Sequence, residues 1–176
     1  MKTDIIYNQI LSTSKYLLKE LDYYGENQFK QRISEGHWTI GELYDYLING
    51  TISFHVSQIQ NCLDTTKSRK GGKKRFQGKF IFWYGRIPAI IKYHDVTGYK
   101  PMQPESPESA KDMVYKFIKQ MNKIAQEIDN GPSKNSTLHR SFGMLNAMEW
   151  YTLIDMHLKH FLKKKDIIDK VLRGTN

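Results

Sequence analysis

Apolar residues recur at helical spacing in four segments of roughly 20 residues, and this pattern restricts the fold more than any other feature of the sequence. The first segment, residues 4–24, places Ile6, Ile10, Leu17 and Leu21 on one line of a helix. The other three segments are residues 39–63, 107–129 and 146–172. Four helices of this length in one chain predict an all-α fold, a four-helix bundle.

Three of these helices begin with residues that are typical of helix N-termini. Thr39 with Glu42 three residues later predicts a capping box, in which each side chain accepts a hydrogen bond from the other residue's backbone N–H. Asn146 and Glu149 repeat this arrangement at the last helix. Ser106 followed by Pro107 predicts the start of the third helix, because proline is well tolerated at the first helical position.

The connection between the second and third helices, residues 64–106, is unusually long for a compact domain and rich in glycine and proline. Such a connection is needed if these two helices are parallel, since the chain must then return along the whole bundle. We therefore expect them to be parallel, which excludes a simple up-down-up-down order. The aromatic stretch KFIFWYGRIPAIIKY inside the connection predicts a short strand or an extended segment lying over the bundle.

Length and composition favour a single folded domain over residues 1–176, with 39% hydrophobic residues. Cys62 is the sole cysteine, so an internal disulfide is impossible and we expect a buried apolar role for it in a reducing cytoplasm. The N-terminus lacks the continuous apolar core of a signal peptide. No run of about 18 apolar residues occurs, and we therefore expect no membrane-spanning helix.

The net charge of +9 comes from one part of the connection, between Thr65 and His94, which holds nine cations and no acidic residue. Aromatic residues lie among these cations, and this composition is typical of a surface that binds nucleic acid or another acidic partner. The alternative, which we favour, is a solvated basic loop whose rings pack on the bundle. The residues of the predicted binding segment are Lys67, Arg69, Lys70, Lys73, Lys74, Arg75 and Lys79.

Histidines on two helices suggest either a metal site or ordinary structural residues. His157 lies on the apolar face of the last helix, His160 lies three residues later, and His55 lies on the inner line of the second helix. Neutral imidazoles from facing helices are suitable ligands for zinc or nickel. The usual helical pair is i and i+4, but Phe161 occupies that position after His157. The alternative is that His157 makes one structural hydrogen bond and His160 is solvated.

Three further histidines, His37, His94 and His139, fall in predicted loops, where we expect them to be solvated.

Two motifs near opposite ends of the chain resemble the DinB-like superfamily, specifically a branch of uncharacterised bacterial proteins. They are WTIGELYDYLINGTISFHVSQI, residues 38–59, and SFGMLNAMEWYTLIDMHLKHFLKKK, residues 141–165. The resemblance implies an up-up-down-down bundle, frequent homodimers and, in many members, a divalent metal held by three histidines. Its three ligand positions fall on Thr51, His157 and Phe161, so this chain keeps one of the three histidines. Lys164 stands where a glutamine is common.

These observations lead to three functional hypotheses. The first is a bundle protein with a pocket for a small ligand or a weakly held metal between the second and fourth helices, lined by Thr51, His55, His157 and Phe161. The second, implied by the resemblance, is a metal-dependent hydrolase or low-molecular-weight-thiol transferase that uses His55, His157 and His160. The third is binding of nucleic acid or an acidic partner through residues 67–79.

Overall fold

The computed structural model describes residues 2–87, 98–132, 134–172 and 174, with the side chains of Lys2 and Thr51 excepted. The chain is mostly helical and also contains a small antiparallel sheet. In chain order the elements are α1 (Lys2–Leu21), α2 (Glu26–Lys30), α3 (Ile40–Asp45), a π-helical segment (Tyr46–Ile52), α4 (Ser53–Leu63), β1 (Arg69–Lys70), α5 (Phe76–Tyr84), α6 (Pro107–Asn130), β2 (Asn135–His139), β3 (Gly143–Asn146) and α7 (Ala147–Leu172).

The four predicted long helices correspond to α1, the continuous stretch from α3 to α4, α6 and α7. Their starts follow the predicted caps: Thr39 and Glu42 form a capping box, and Ser106 caps α6 with Pro107 at its first turn. At α7, Asn146 and Glu149 exchange two hydrogen bonds of 2.9 Å. The first helix ends at Leu21 and not near residue 24, because residues 22 and 23 turn away through i to i−3 backbone bonds.

Hydrogen bonds between the ends of the helices give their directions. Thr3 at the start of α1 donates to Asp129 at the end of α6, so these helices are antiparallel. Near the other end of α1, Glu20 pairs with Lys165, and α7 therefore runs parallel to α1. The stretch from α3 to α4 runs parallel to α6, since Gln60 contacts Glu127 at their common end.

The resulting order is up-down-down-up. It differs from the up-up-down-down order that the resemblance implies, in which the second and third helices would be antiparallel. The expectation that the second and third long helices are parallel is confirmed by the contacts of Asn49 with Met113 and of Gln60 with Glu127. This geometry explains the long connection, because the chain must return from the end of α4 to the start of α6.

The aromatic part of the connection forms the helix α5, and the predicted strand or extended segment is wrong for residues 76–84. The helix buries Gly78 and Ile81, which lie three residues apart on one face. A Cβ at Gly78 would lie 2.2 Å from the Phe142 carbonyl oxygen, so this close approach requires glycine. Packing has therefore overridden the strand preference of the aromatic residues. Residues 88–97, which include His94, lie outside the described part.

The small sheet, which the sequence analysis did not predict, joins the connection to the chain before α7. Its order is β1-β2-β3, with both pairs antiparallel, and Lys74 bridges to Gly143 beyond β1. Gly143 has a φ of 84°, a left-handed conformation that favours glycine at the start of β3. Through this sheet the basic part of the connection is held against the N-terminal end of α7.

The core between the helices is apolar, and its largest fully buried side chains include Trp150, Tyr44, Tyr151, Phe29 and Phe142. None of the helices in the described ranges has both the length and the apolarity needed to cross a lipid bilayer.

Candidate functional site

His55 and His157 lie side by side in the interior, on α4 and α7. Their ring centroids are 4.7 Å apart, the planes meet at 68°, and neither side chain is more than 5% exposed. Trp150 and His55 pack in a T-shaped arrangement at a centroid distance of 5.4 Å. Burial holds the pKa of His157 well below 6.5, and the nearby His55, His160, His139 and Lys164 lower it further. His157 is therefore neutral at physiological pH.

His139 belongs to the same region, and the expectation that it is solvated is wrong. It lies in β2, is only 2% exposed, and stacks on Phe142 at 4.2 Å. Its Nδ1 accepts hydrogen bonds from the backbone N–H groups of Ser141 and Phe142 at 3.1 and 3.2 Å. Burial lowers its pKa to about 4. The unpredicted hairpin brings this residue into the interior; by contrast, His37 is exposed as expected.

His160 faces a different environment from His55 and His157. It lines a surface cavity of about 320 Å³ together with Arg86, Lys159 and Lys163. Within the described ranges, no three histidine, cysteine, aspartate or glutamate side chains are arranged to hold a metal ion. The residues that the structure describes therefore do not fit the three-histidine centre that the family resemblance implies.

Phe161 and Thr51 occupy the other two family ligand positions. Phe161 is 5% exposed and packs edge-on against Tyr44, with centroids 5.5 Å apart and planes at 87°. Its ring thus contributes to the core at a position where an imidazole would serve as a ligand. The backbone of Thr51 lies in the π-helical segment, and its side chain lies outside the described part.

A small cavity of about 50 Å³ lies between the π-helical segment and α7. His157 and Phe161 line it, and His55 does not. The remaining lining residues are Trp38, Leu43, Tyr46, Leu47 and Lys164. The sequence did not indicate that Trp38 and Leu43 line a cavity; the position of Trp38 directly before the Thr39 cap is the one local signal that places it near the start of this helix.

An open groove of about 370 Å³ adjoins this cavity, because Trp38, Leu43 and Lys164 line both spaces. Its other walls are Ile33, Gly36, His37, Ile167 and Ile168, and most of this surface is apolar. The combination can bury an apolar molecule, and the Lys164 ammonium at the junction can pair with an acidic group on it.

Cys62 is a packed residue, as predicted. It is fully buried, its sulfur lies 3.5 Å from the Thr137 hydroxyl and the Leu145 carbonyl, and burial raises its pKa. A buried thiol with a raised pKa is a poor nucleophile, so these surroundings do not support thiol chemistry at this residue.

Some cations of the basic segment, residues 67–79, form ion pairs or hydrogen bonds with other residues of the chain. Lys67 pairs with Asp64 at 3.5 Å, Lys74 pairs with Glu149, and Arg75 donates to the Arg140 carbonyl at 2.6 Å. Lys67 and Arg75 are nevertheless exposed, as are Arg69, Lys70, Lys73 and Lys79.

The expectation that the aromatic rings of this region pack on the bundle holds only in part. Phe82 packs partly against the core. The rings of Phe76, Phe80, Trp83 and Tyr84 are 84%, 41%, 82% and 45% exposed. The part of the connection around α5 is therefore attached to the bundle by Ile81, Phe82 and Ile87 and by the small sheet, and its later part by hydrogen bonds of Tyr99 and Met102 to Asp45.

Comparison with known proteins supports the fold. The crystal structure of TT2238, described as a four-helix bundle protein, resembles this chain with a TM-score of 0.53 and 14% sequence identity. The match covers 94% of this chain and 98% of TT2238. No family model and no curated protein matches the sequence. The likeness to TT2238 therefore shows a common bundle architecture.

Proposed function

We propose that this chain is a small-molecule-binding bundle protein whose ligand has an apolar body and one acidic group. The proposal rests chiefly on one observation: the groove along Ile33, Ile167 and Ile168 and the inner cavity at His157 share three walls. A ligand lying in the groove would therefore reach toward the interior of the bundle between α3 and α7.

Each part of this site suits one part of such a ligand. The isoleucine side chains of the groove would cover the apolar body, which is stabilised by removal from water. The Lys164 ammonium at the junction would pair with a carboxylate. His157 is neutral, and its imidazole can donate or accept one hydrogen bond at the inner end.

The proposal is tested by calorimetric titration with octanoate and, in parallel, with octanamide, which has the same chain and no charge. We expect octanoate to bind more tightly. Lys164→Gln should weaken octanoate binding by about tenfold or more, because it removes a charge-assisted hydrogen bond. The matched control is Lys163→Gln on the next residue, which lines the other cavity and should leave octanoate affinity unchanged.

A second pair of variants tests the groove. Ile167 lines it and is 63% exposed, so Ile167→Glu should weaken octanoate binding without unfolding the protein. Val171→Glu, one turn further along α7 at a residue that is 52% exposed, is the control. Equal octanoate affinity in the parent protein, Lys164→Gln and Ile167→Glu would refute this location for the ligand.

The enzyme hypothesis stays a separate prediction, in which zinc or nickel is held by His55, His157 and His160. Its support is the proximity of His55 and His157, and metal content decides it. Membership of the DinB-like superfamily, a homodimeric state and a cytoplasmic location also stay predictions.

A further inference from the structure

Four exposed aromatic rings form a row on α5. Phe76, Phe80, Trp83 and Tyr84 are spaced by four, three and one residues, which places them on adjacent lines of one helix face. Phe80 and Tyr84 are nearly parallel, with planes at 12° and centroids 5.8 Å apart. We call this row the α5 aromatic face. Exposure of so many large rings on one short helix marks a contact surface.

Cations surround the α5 aromatic face. The stretch from residue 65 to residue 87 contains no acidic residue. Its exposed cations are Lys67, Arg69, Lys70, Lys73, Arg75, Lys79 and Arg86. The Arg86 guanidinium lies over the Tyr84 ring at 4.9 Å. An anionic partner therefore complements this surface.

The cavity at His160 continues the surface, because Tyr84 belongs to both. This cavity has a volume of about 320 Å³ and is lined by Tyr84, Gly85, Arg86, Ile87, Met156, Lys159, His160 and Lys163. Lys159 is paired with Asp155 at 2.5 Å, whereas Arg86 and Lys163 form no ion pair with any residue in the described part of the chain. The His160 Nδ1 is buried and has no hydrogen-bond partner within the described ranges.

We propose that the α5 aromatic face and the adjoining cavity bind single-stranded nucleic acid, with bases stacked on the exposed rings and a phosphate in the cavity. The row from Phe76 to Tyr84 extends about 12 Å along the helix axis, at about 1.5 Å per residue. That length accommodates about three stacked nucleotides at about 3.4 Å each. Rings stack on any base, so the contact needs no particular sequence.

Two other occupants suit the observations less well. An anionic lipid surface would contact the rings and the basic residues, but it is flat and would leave a concave cationic cavity unfilled. A second copy of this chain would bring the same cations against one another, since the surface carries no acidic residue between 65 and 87. Charge and shape together therefore favour a flexible polyanion that carries aromatic bases.

The test measures fluorescence anisotropy of a fluorescein-labelled oligothymidine of about 12 nucleotides, a typical site size for such surfaces. We expect affinity to fall roughly 50-fold between about 50 and about 200 mM salt if about four phosphates are neutralised, at a slope of about 0.7 for each. Trp83→Ala should weaken binding about tenfold and leave that slope unchanged. Arg86→Gln should weaken binding and reduce the slope by about 0.7.

Matched controls lie on α6, away from the surface. Tyr115→Ala removes a ring that is 53% exposed, and Lys119→Gln removes an exposed charge; both should bind as the parent protein does. Melting temperatures of all variants confirm that they are folded. Absence of binding at low salt, affinity that does not change with salt, or an unchanged affinity of Trp83→Ala would overturn the proposal.

Two further measurements separate the alternatives. Cosedimentation with phosphatidylglycerol vesicles, in the absence of oligothymidine binding, would replace nucleic acid by a lipid surface and overturn the proposal. Self-association that Trp83→Ala abolishes, again without oligothymidine binding, would identify the face as an interface between copies and would also overturn it. Neither result bears on octanoate binding at Lys164, because the two sites share no lining residue.

Discussion

Replacement of His139 by asparagine should make the fold less sensitive to acid. His139 is buried between Phe142 and Trp150, and burial lowers its pKa from 6.5 to about 4. Its Nδ1 accepts two backbone hydrogen bonds, and the asparagine side-chain oxygen can occupy a similar position and accept them. His139→Asn therefore removes the titrating group and keeps an acceptor for the turn.

The magnitude follows from the difference between the folded and unfolded pKa. The unfolded chain takes up a proton on this histidine below about pH 6.5, and the folded protein does so only near pH 4. Stability is thus unaffected above pH 6.5 and is lost as the pH falls toward 4. At about 1.4 kcal/mol for each pKa unit, the loss from His139 between about pH 7.5 and pH 4 is about 3 kcal/mol.

Urea unfolding at several pH values, followed by circular dichroism, measures this loss in both proteins. Other groups contribute equally to the two curves, so the expected observation is a difference of about 3 kcal/mol in the acid-induced fall of the unfolding free energy. His37→Asn, at an exposed histidine, is the control and should follow the parent protein. Identical falls for the parent protein and His139→Asn would refute a buried neutral role for His139.

Three further predictions concern other parts of the molecule. Lys165→Met leaves the Glu20 and Asp169 carboxylates without their buried ammonium partner, so it should lower the unfolding free energy by about 3–5 kcal/mol. The control is Lys163→Met at an exposed position, which should change the unfolding free energy little. Asn146→Ala removes the α7 cap and should cost about 0.5–2 kcal/mol in the same denaturation assay. Untagged protein that is incubated with zinc or nickel and then desalted should retain much less than one metal ion per chain, as measured by elemental analysis. Retention of one metal ion per chain in the parent protein, and its loss in His157→Ala, would instead support the three-histidine hypothesis.

The helices could be predicted because their signals are local. Thr39, Ser106 and Asn146 each satisfy backbone N–H groups within three residues, so the sequence alone locates these helix starts. The parallel arrangement of the second and third long helices also followed from the length of the connection. The up-down-down-up order did not, because it depends on contacts such as Glu20 with Lys165, which are separated by most of the chain.

The candidate site was harder to predict for the same reason. β1 and β2 are far apart in sequence, and each is at most five residues long. No local sequence pattern therefore predicts the sheet that buries His139. The aromatic residues of α5 have an intrinsic preference for strands. This segment is nevertheless helical, because the helix allows Gly78 to pack closely against Phe142. His157 could be assigned to the interior from helical spacing, whereas the walls contributed by Lys164 and Tyr46 required the structure.

The π-helical segment Tyr46–Ile52 determines the direction in which the side chains of α4 point about the helix axis, relative to those of α3. An α-helix advances about 100° per residue, so deletion of one residue that restored a regular α-helix would rotate α4 by about that angle relative to α3. His55 would then turn away from His157. A single-residue deletion here would thus change the contacts inside the bundle by rotating α4, without substituting any side chain that lines the cavity.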